Sequence, residues 1–593
     1  MGLQATLYLN GQECDIREIQ MLRPRDIEKI EYHDAPSGKY AKDKLVVNFI
    51  TKQYRYGGYV QADGLQTMGY DHGDYNVATN YVKGNNSYTV FAGANYSHVD
   101  GTETWNNENY QFPQSLFDRE SYSKNSYRNH QEYMQFRYQN QKGKRYWVGK
   151  FTLVNLSTPR NASSGFAKEN TETDVFSNIR KKSLSPKIDL NANLPLSKNQ
   201  TLILGVHGKY SANSYHRLYQ EQPFEAMTDE DENALSFQLS AIYNYFSQKH
   251  SLSVELFHYH DVWNADYSGN CELWQHLWKG ESLAFFSYNF QASRRLSLKT
   301  RIGLDWLQYH LHGDNSFSQL SPRINTNVQY QLNKGMLLWS FNFMNSNHGM
   351  DVINRAMIQV NSHMMEKGMP ELKKSHDINT YLYYMGRFNR LSVSAIGQFR
   401  YNHHPVTDDY YLDEANGKIV KTYSNGGNAQ YYSAILALQY KLCKFANLSG
   451  DIRYNHAEVK TTWSKHNNNL TGNLGLNMFM GDFALKPYLH FGKKSLDEAA
   501  LVISKTPIDY GMSCSYSRGN LYVELQAVSP FKKQEKQYWL DLPIYSYSKS
   551  IKDQTASQYA SIKVAYSFDF GWKTQKVEKD VNKNINSSLL RVE

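Results

Sequence analysis

Soft and hard metal ligands crowd into two stretches of this chain. Residues 346–375 hold Met350, Met357, Met364, Met365 and Met369 with His348 and His363, and thioether and imidazole ligands of that kind suit copper. His403-His404, Asp408-Asp409 and Asp413-Glu414 form a second set, whose oxygens suit a hard cation such as calcium. No glycine stands where an EF-hand loop needs one, so these carboxylates read as solvated loop charge. The methionines read as the packing face of a partly helical loop. No metal site is assigned. Trp274 and Trp278 fall in the middle of a stretch read as loop, 260–280. Aromatic faces can stack on sugars or on apolar ligand parts, which makes this pair the candidate ligand-binding residues. Thr228-Asp229-Glu230-Asp231-Glu232 reads as a solvated loop tip. Gly-x-Ser-x-Gly, His-Glu-x-x-His and phosphate-cradling glycine loops are absent, so no catalytic residue is assigned, no enzyme is expected and no cofactor is implied. Cys14, Cys271, Cys443 and Cys514 form no C-x-x-C pair, and no disulfide is expected among them.

Whatever holds these side chains is built of strands. After residue 55 hydrophobicity alternates with period two. Ile562, Val564, Tyr566, Phe568, Phe570 and Trp572 alternate with Ser561, Lys563, Ala565, Ser567, Asp569 and Gly571. Successive strand side chains point to opposite faces, so one face is apolar and the other small or polar. The same pattern recurs at Leu252–Leu256, Leu391–Ala395, Leu448–Tyr454 and Leu521–Leu525.

The connections between strands alternate in length. Ten short polar turns lie between Lys83-Gly84-Asn85-Asn86 and Ser517-Arg518-Gly519-Asn520. Between them come longer segments, among them 105–128, 157–178, 212–233, 260–280, 346–375, 402–428 and 530–556. Short turns on one side and long loops on the other are the rhythm of an outer-membrane barrel. The count comes to about 22 strands, the size class of plugged transporters. A soluble propeller would need a blade repeat, which is absent.

Composition agrees. Aromatic residues make up 14%, with 47 Tyr, yet hydrophobic residues reach only 40% and the mean hydropathy is −0.66. A barrel needs only every second strand residue apolar, so it reads as polar on average while rich in interfacial aromatics. No run of apolar residues is long enough for a membrane helix. The net charge of +9 comes without long basic runs, which gives nucleic-acid binding no support.

The first 53 residues differ. Ala5–Asn10, Ile27–Tyr32 and Leu45–Ile50 read as strands, Ile16, Ile19 and Leu22 have helical spacing, and Asp34–Gly38 is a turn cluster. Within this segment, Leu22-Arg23-Pro24-Arg25-Asp26-Ile27-Glu28-Lys29-Ile30-Glu31, Ala35-Pro36-Ser37-Gly38-Lys39-Tyr40 and Val47-Asn48-Phe49-Ile50-Thr51-Lys52 resemble, in order and spacing, the end of the plug domain of TonB-dependent outer-membrane receptors, particularly the Bacteroidetes-type group. Gly368-Met369-Pro370-Glu371-Leu372 and Tyr566-Ser567-Phe568-Asp569-Phe570-Gly571 are similar to a mid-barrel strand opening and the closing strand of the same group. Ala41-Lys42-Asp43-Lys44 departs from the family's glycine-rich stretch.

The resemblance implies an all-β transmembrane antiparallel barrel of about 22 strands with a partial α/β plug. It divides the chain into plug end (1–53), barrel (54–573) and polar tail (574–593). It implies uptake of an unidentified large ligand across the outer membrane, powered by the TonB complex, with outer-membrane lipids and a surface lipoprotein as further partners. A non-transporting barrel, such as a degenerate receptor or adhesin, is the alternative. Met1-Gly-Leu-Gln-Ala-Thr has neither basic nor apolar signal-peptide character, so a truncated or mis-started chain is expected.

Overall fold

In the computed structural model of the chain, residues 6–9, 12–14, 27–33, 46–51 and 56–572 are described, apart from 114, 315, 347–348 and 553–556 within the last span. The helical spacing at 16–22, the turn at 34–38 and the tail after 572 lie outside the described residues.

The main body is a closed antiparallel barrel of 22 strands. It begins at Tyr56–Met68 and ends at Tyr559–Trp572, and these two strands pair to close the wall, with Tyr566 opposite Ala62. An even count is what allows first and last strands to meet antiparallel. All ten expected turns are present, and residues such as Gly143 and Gly519 sit at their tips with φ near +60°, where glycine carries no Cβ penalty.

The long loops are the principal correction. Of the seven named, only 346–375 and 402–428 are loops of any length. The described residues of the others are mostly the tops of tall strands: Asn86–Gln111, Leu116–Lys142 and Glu172–Ser197 each run more than twice the ~10 residues that cross a bilayer. Above a bilayer both strand faces meet water, so the apolar alternation fades and a strand top reads as loop. The first hairpin is shorter, Tyr56–Met68 with Asp71–Lys83. Over its top, Tyr545–Lys552 pairs directly with Glu103–Tyr110.

The alternation sorts cleanly. The outward face is apolar and exposed, as along the row Phe286, Ile302 and Ile324 on adjacent strands. The inward face is polar, with Gln61, Asn80, Gln135 and Arg137 buried. An exposed apolar belt around a whole barrel is far larger than water tolerates and points to a bilayer. No helix among the described residues is long and apolar enough to cross a membrane.

A separate four-stranded sheet forms from Thr6–Leu9, Gln12–Cys14, Ile27–His33 and Val46–Thr51. Thr6–Leu9 runs parallel to Val46–Thr51, and the other pairs are antiparallel. The expected strands are there; Gln12–Cys14 is an addition.

Candidate functional site at the lidded mouth

The two real loops do not hang free. Each contributes two short strands to one sheet: Met357–Gln359 and Met364–Lys367 from the first, Thr407–Asp413 and Lys418–Ser424 from the second. A parallel pairing of Met364–Glu366 with Ile419–Lys421 joins them. This sheet is a lid, folded inward across the barrel end opposite the ten turns.

Apolar contacts hold the lid on several sides. Met364, Tyr410 and Ile419 pack with Tyr110, Val459, Leu501, Leu540 and Tyr545 of the wall. Ile353 and Leu372 pack with Trp263, Leu277, Leu307 and Leu311. Ala356 and Ile358 pack with Ala265 and Tyr267. These wall residues come from well-separated parts of the circumference, so the lid reaches across the mouth instead of lining one side.

Polar anchors lie between the apolar clusters. The Arg217 guanidinium donates to the Gln359 carbonyl at 2.7 Å and also to that of Val360. Arg119 is buried among carboxylates, 2.7 Å from Glu108, 3.0 Å from Glu221 and 3.8 Å from Glu169. Tyr110 and Tyr545 donate to Glu108 at 2.9 and 2.8 Å. The lid plugs into this cluster through Asn361, which donates to the Tyr110 hydroxyl at 2.9 Å, and through His363, 2.7 Å from Glu169. Asn354 meets Tyr267 and Gln275, and Tyr267 donates to Glu230 at 2.7 Å. At the lid's root Lys374 lies 3.1 Å from Asp305, both side chains fully buried, and Arg323 bridges Asp305 to Glu281.

The lid carries its own ion pair. Lys421 sits 3.4 Å from both Glu366 and Asp408. Burial raises the pKa of both carboxyls, with Lys421 opposing the rise. Burial pulls Lys421 down, but Glu366 and Asp408 outweigh it and hold the amine charged well above its ordinary range. Lys374 is lowered by burial against the pull of Asp305.

The candidate ligands scatter. Met364 and Met369 enter different apolar clusters, and His348 lies outside the described residues. His404 binds the Asn425 carbonyl, Asp408 pairs with Lys421, Asp409 accepts from Trp463, and Asp413 accepts from Asn416. Among the described residues no cluster of three His, Cys, Asp or Glu is placed to hold a metal. The methionine loop carries one helical turn, Met350–Ile353. Cys271, Cys443 and Cys514 are free thiols.

Two readings need correction. Trp274 and Trp278 are not mid-loop: they sit in the strand Leu273–Gln291, on the parity opposite to buried Gln275 and Leu277, and so on the outward wall. There Trp274 packs on His276 and His312, and Trp278 on His260. They do not join the mouth cluster. Thr228-Asp229-Glu230-Asp231-Glu232 is no loop tip either. It lies in the strand Phe224–Phe246, with Glu230 and Glu232 each 1% exposed on the lumenal side.

The anchors Arg119, Arg217, Asp305 and Lys374 were missed by sequence reasoning. Their partners lie far away in sequence, as with Glu221, Gln359 and Lys374 itself, and no local motif marks them.

No family model matches the sequence, and no curated protein matches it. Among solved structures the chain is similar to the copper transporter OprC, with TM-score 0.63 at 10% identity over 95% of this chain and 91% of that one. It is similar to the siderophore receptor PirA from Pseudomonas aeruginosa, with TM-score 0.56 at 12% identity over 95% and 91%. The ferripyoverdine receptor of the outer membrane of Pseudomonas aeruginosa, bound to ferripyoverdine, gives TM-score 0.59 at 10% identity over 95% and 80%. At these identities the likeness establishes the fold.

Proposed function

We propose that this chain is a TonB-dependent receptor-like barrel of the outer membrane that takes up an unidentified ligand. The carrying observation is a closed 22-strand wall with a small mixed sheet before it, in a fold similar over 95% of the chain to a copper transporter and siderophore receptors. On this reading residues 1–53 are the end of a plug, 54–573 the barrel and 574–593 a tail. The Bacteroidetes-type motifs quoted above support that subfamily, with outer-membrane lipids, TonB and a surface lipoprotein as partners. The neighbours are transporters and receptors, in keeping with a non-enzymatic role. Trp274 and Trp278 act, on this reading, as aromatic anchors or external ligand contacts on the outer wall.

A second reading has its own support. The mouth is closed by a lid tied to the wall by buried charges and three apolar clusters, which favours a non-transporting barrel that binds or adheres. Radio-iron and radio-copper accumulation in cells with and without the chain, each with and without a protonophore, separates the two. Energy-dependent accumulation that disappears with the chain supports uptake. Equal accumulation in both strains, with the chain present in the outer-membrane fraction, favours the non-transporting barrel.

A further inference from the structure

The turn end of the barrel carries a charge pattern that the lid does not explain. Nine of the ten turns hold Lys or Arg; the tenth holds Asp482, which lies 3.8 Å from Arg518 of the neighbouring turn. Hydrogen bonds between turns make several basic ones contiguous. The Gln291 N–H donates to the Lys249 carbonyl at 2.9 Å and that of Gln331 to Arg295 at 2.7 Å. Farther along, the Arg387 N–H donates to the Lys334 carbonyl and that of Lys441 to Arg390, both at 2.8 Å. Lys249, Arg295, Lys334, Arg387, Arg390 and Lys441 are all exposed. Among the described residues none of the six has a carboxylate partner. Like charges lined up this way repel one another unless anions sit between them.

The wall beside this arc is studded with exposed rings: Tyr330, Trp339, Phe388, Tyr440 and Phe445. Such rings settle at headgroup level, where Lys and Arg stems lie along apolar surface and their charges reach the phosphates. The other end of the barrel differs. Among the described residues its nine short loops contain no Lys or Arg and carry Glu169, Glu272, Asp314 and Glu498, although Lys168 and Lys460 end the strands beside two of them.

We propose that the arc from Lys249 to Lys441 binds the phosphodiester headgroups of anionic phospholipids, of the phosphatidylglycerol class, in the leaflet on the turn side. The proposal rests on the outer-membrane reading. An acidic protein docking from below would use the basic groups but leave the flanking rings without a role, so the rings favour lipid.

The test uses the full chain folded in phosphatidylcholine vesicles, with brominated phosphatidylglycerol or brominated phosphatidylcholine titrated in and tryptophan quenching as the readout. The expected result is a preference for phosphatidylglycerol of at least about threefold, reduced by added salt. The combined variant R295Q/K334Q/R387Q/R390Q/K441Q is expected to lose the preference, while E272Q/D314N at the other end keeps it. A wild-type ratio near one, or a preference undiminished in the basic-arc variant, overturns the proposal. Heat-modifiable gel migration is read on the same samples. Failure of the wild-type chain to insert at all sinks the membrane reading instead, and is thereby told apart from a missing lipid preference.

Discussion

Arg217 on the barrel wall donates to the carbonyl of Gln359 in the lid at 2.7 Å, a contact between a charged wall residue and the backbone of a loop strand far along the chain. With its companion bond to Val360 it holds the lid where the first loop turns back. Replacing Arg217 with Met removes both donors and leaves two half-buried carbonyls without them, a loss of about 3 kcal/mol. The lid is expected to open roughly a hundredfold more often by that figure, while the barrel ladder stays intact. Hydroxyl-radical footprinting of Met364 and Met365, both buried in the closed lid, reads this directly; unchanged oxidation would refute the anchoring role.

The lid's carboxyls set a pH dependence. Glu366 and Asp408 have raised pKa values when buried, burial being the main cause. The closed lid thus holds their protons more tightly than an open one, and closing takes protons up. The contribution to closure is fully present below their ordinary values of 4.5 and 3.8 and is lost as pH rises through the raised ones. Lys421, raised from 10.5, stays charged throughout that range and loses its contribution only in alkali. Met364 and Met365 should be oxidised more at about pH 7.5 than at about pH 5, and the E366Q/D408N variant should flatten the difference.

The lid's root rests on Lys374 and Asp305, 3.1 Å apart and wholly buried. D305N leaves the Lys374 ammonium without its carboxylate, at about 3–5 kcal/mol. The double variant D305N/K374M removes both charges and should recover much of that loss. A double-mutant cycle by urea unfolding in vesicles measures the coupling; additive effects would show that the pair does not anchor the root.

The outward belt makes its own prediction. Ile302 is 49% exposed between Phe286 and Ile324 on adjacent strands. In water, I302R would cost nothing there. Facing lipid, it costs about 2–4 kcal/mol near the midplane, so folding yield into vesicles should fall while folding in detergent micelles changes less. Equal yields would show that this face does not meet hydrocarbon.

The alternation at Ile562–Trp572 and the short turns from Lys83 to Asn520 were legible because strand parity and hairpin turns are local properties of sequence. They determined the strand count, the order, the closure and, along the apolar belt, which face of a strand turns outward. The height of the wall was not legible. Strand tops such as 105–111 and 116–128 lie above the apolar belt, where neither face needs to be apolar.

The lid depended on tertiary structure alone. Met364 finds Ile419, Arg119 finds Glu221 and Lys374 finds Asp305 only after the wall has closed and brought distant strands within reach. The same closure buried Glu230 and Glu232, which read as a loop tip, and turned Trp274 and Trp278 to the outside. Period two says that a strand has two faces; only the packed lid makes one of them an interior at this height, because burial there is decided by what crosses the mouth.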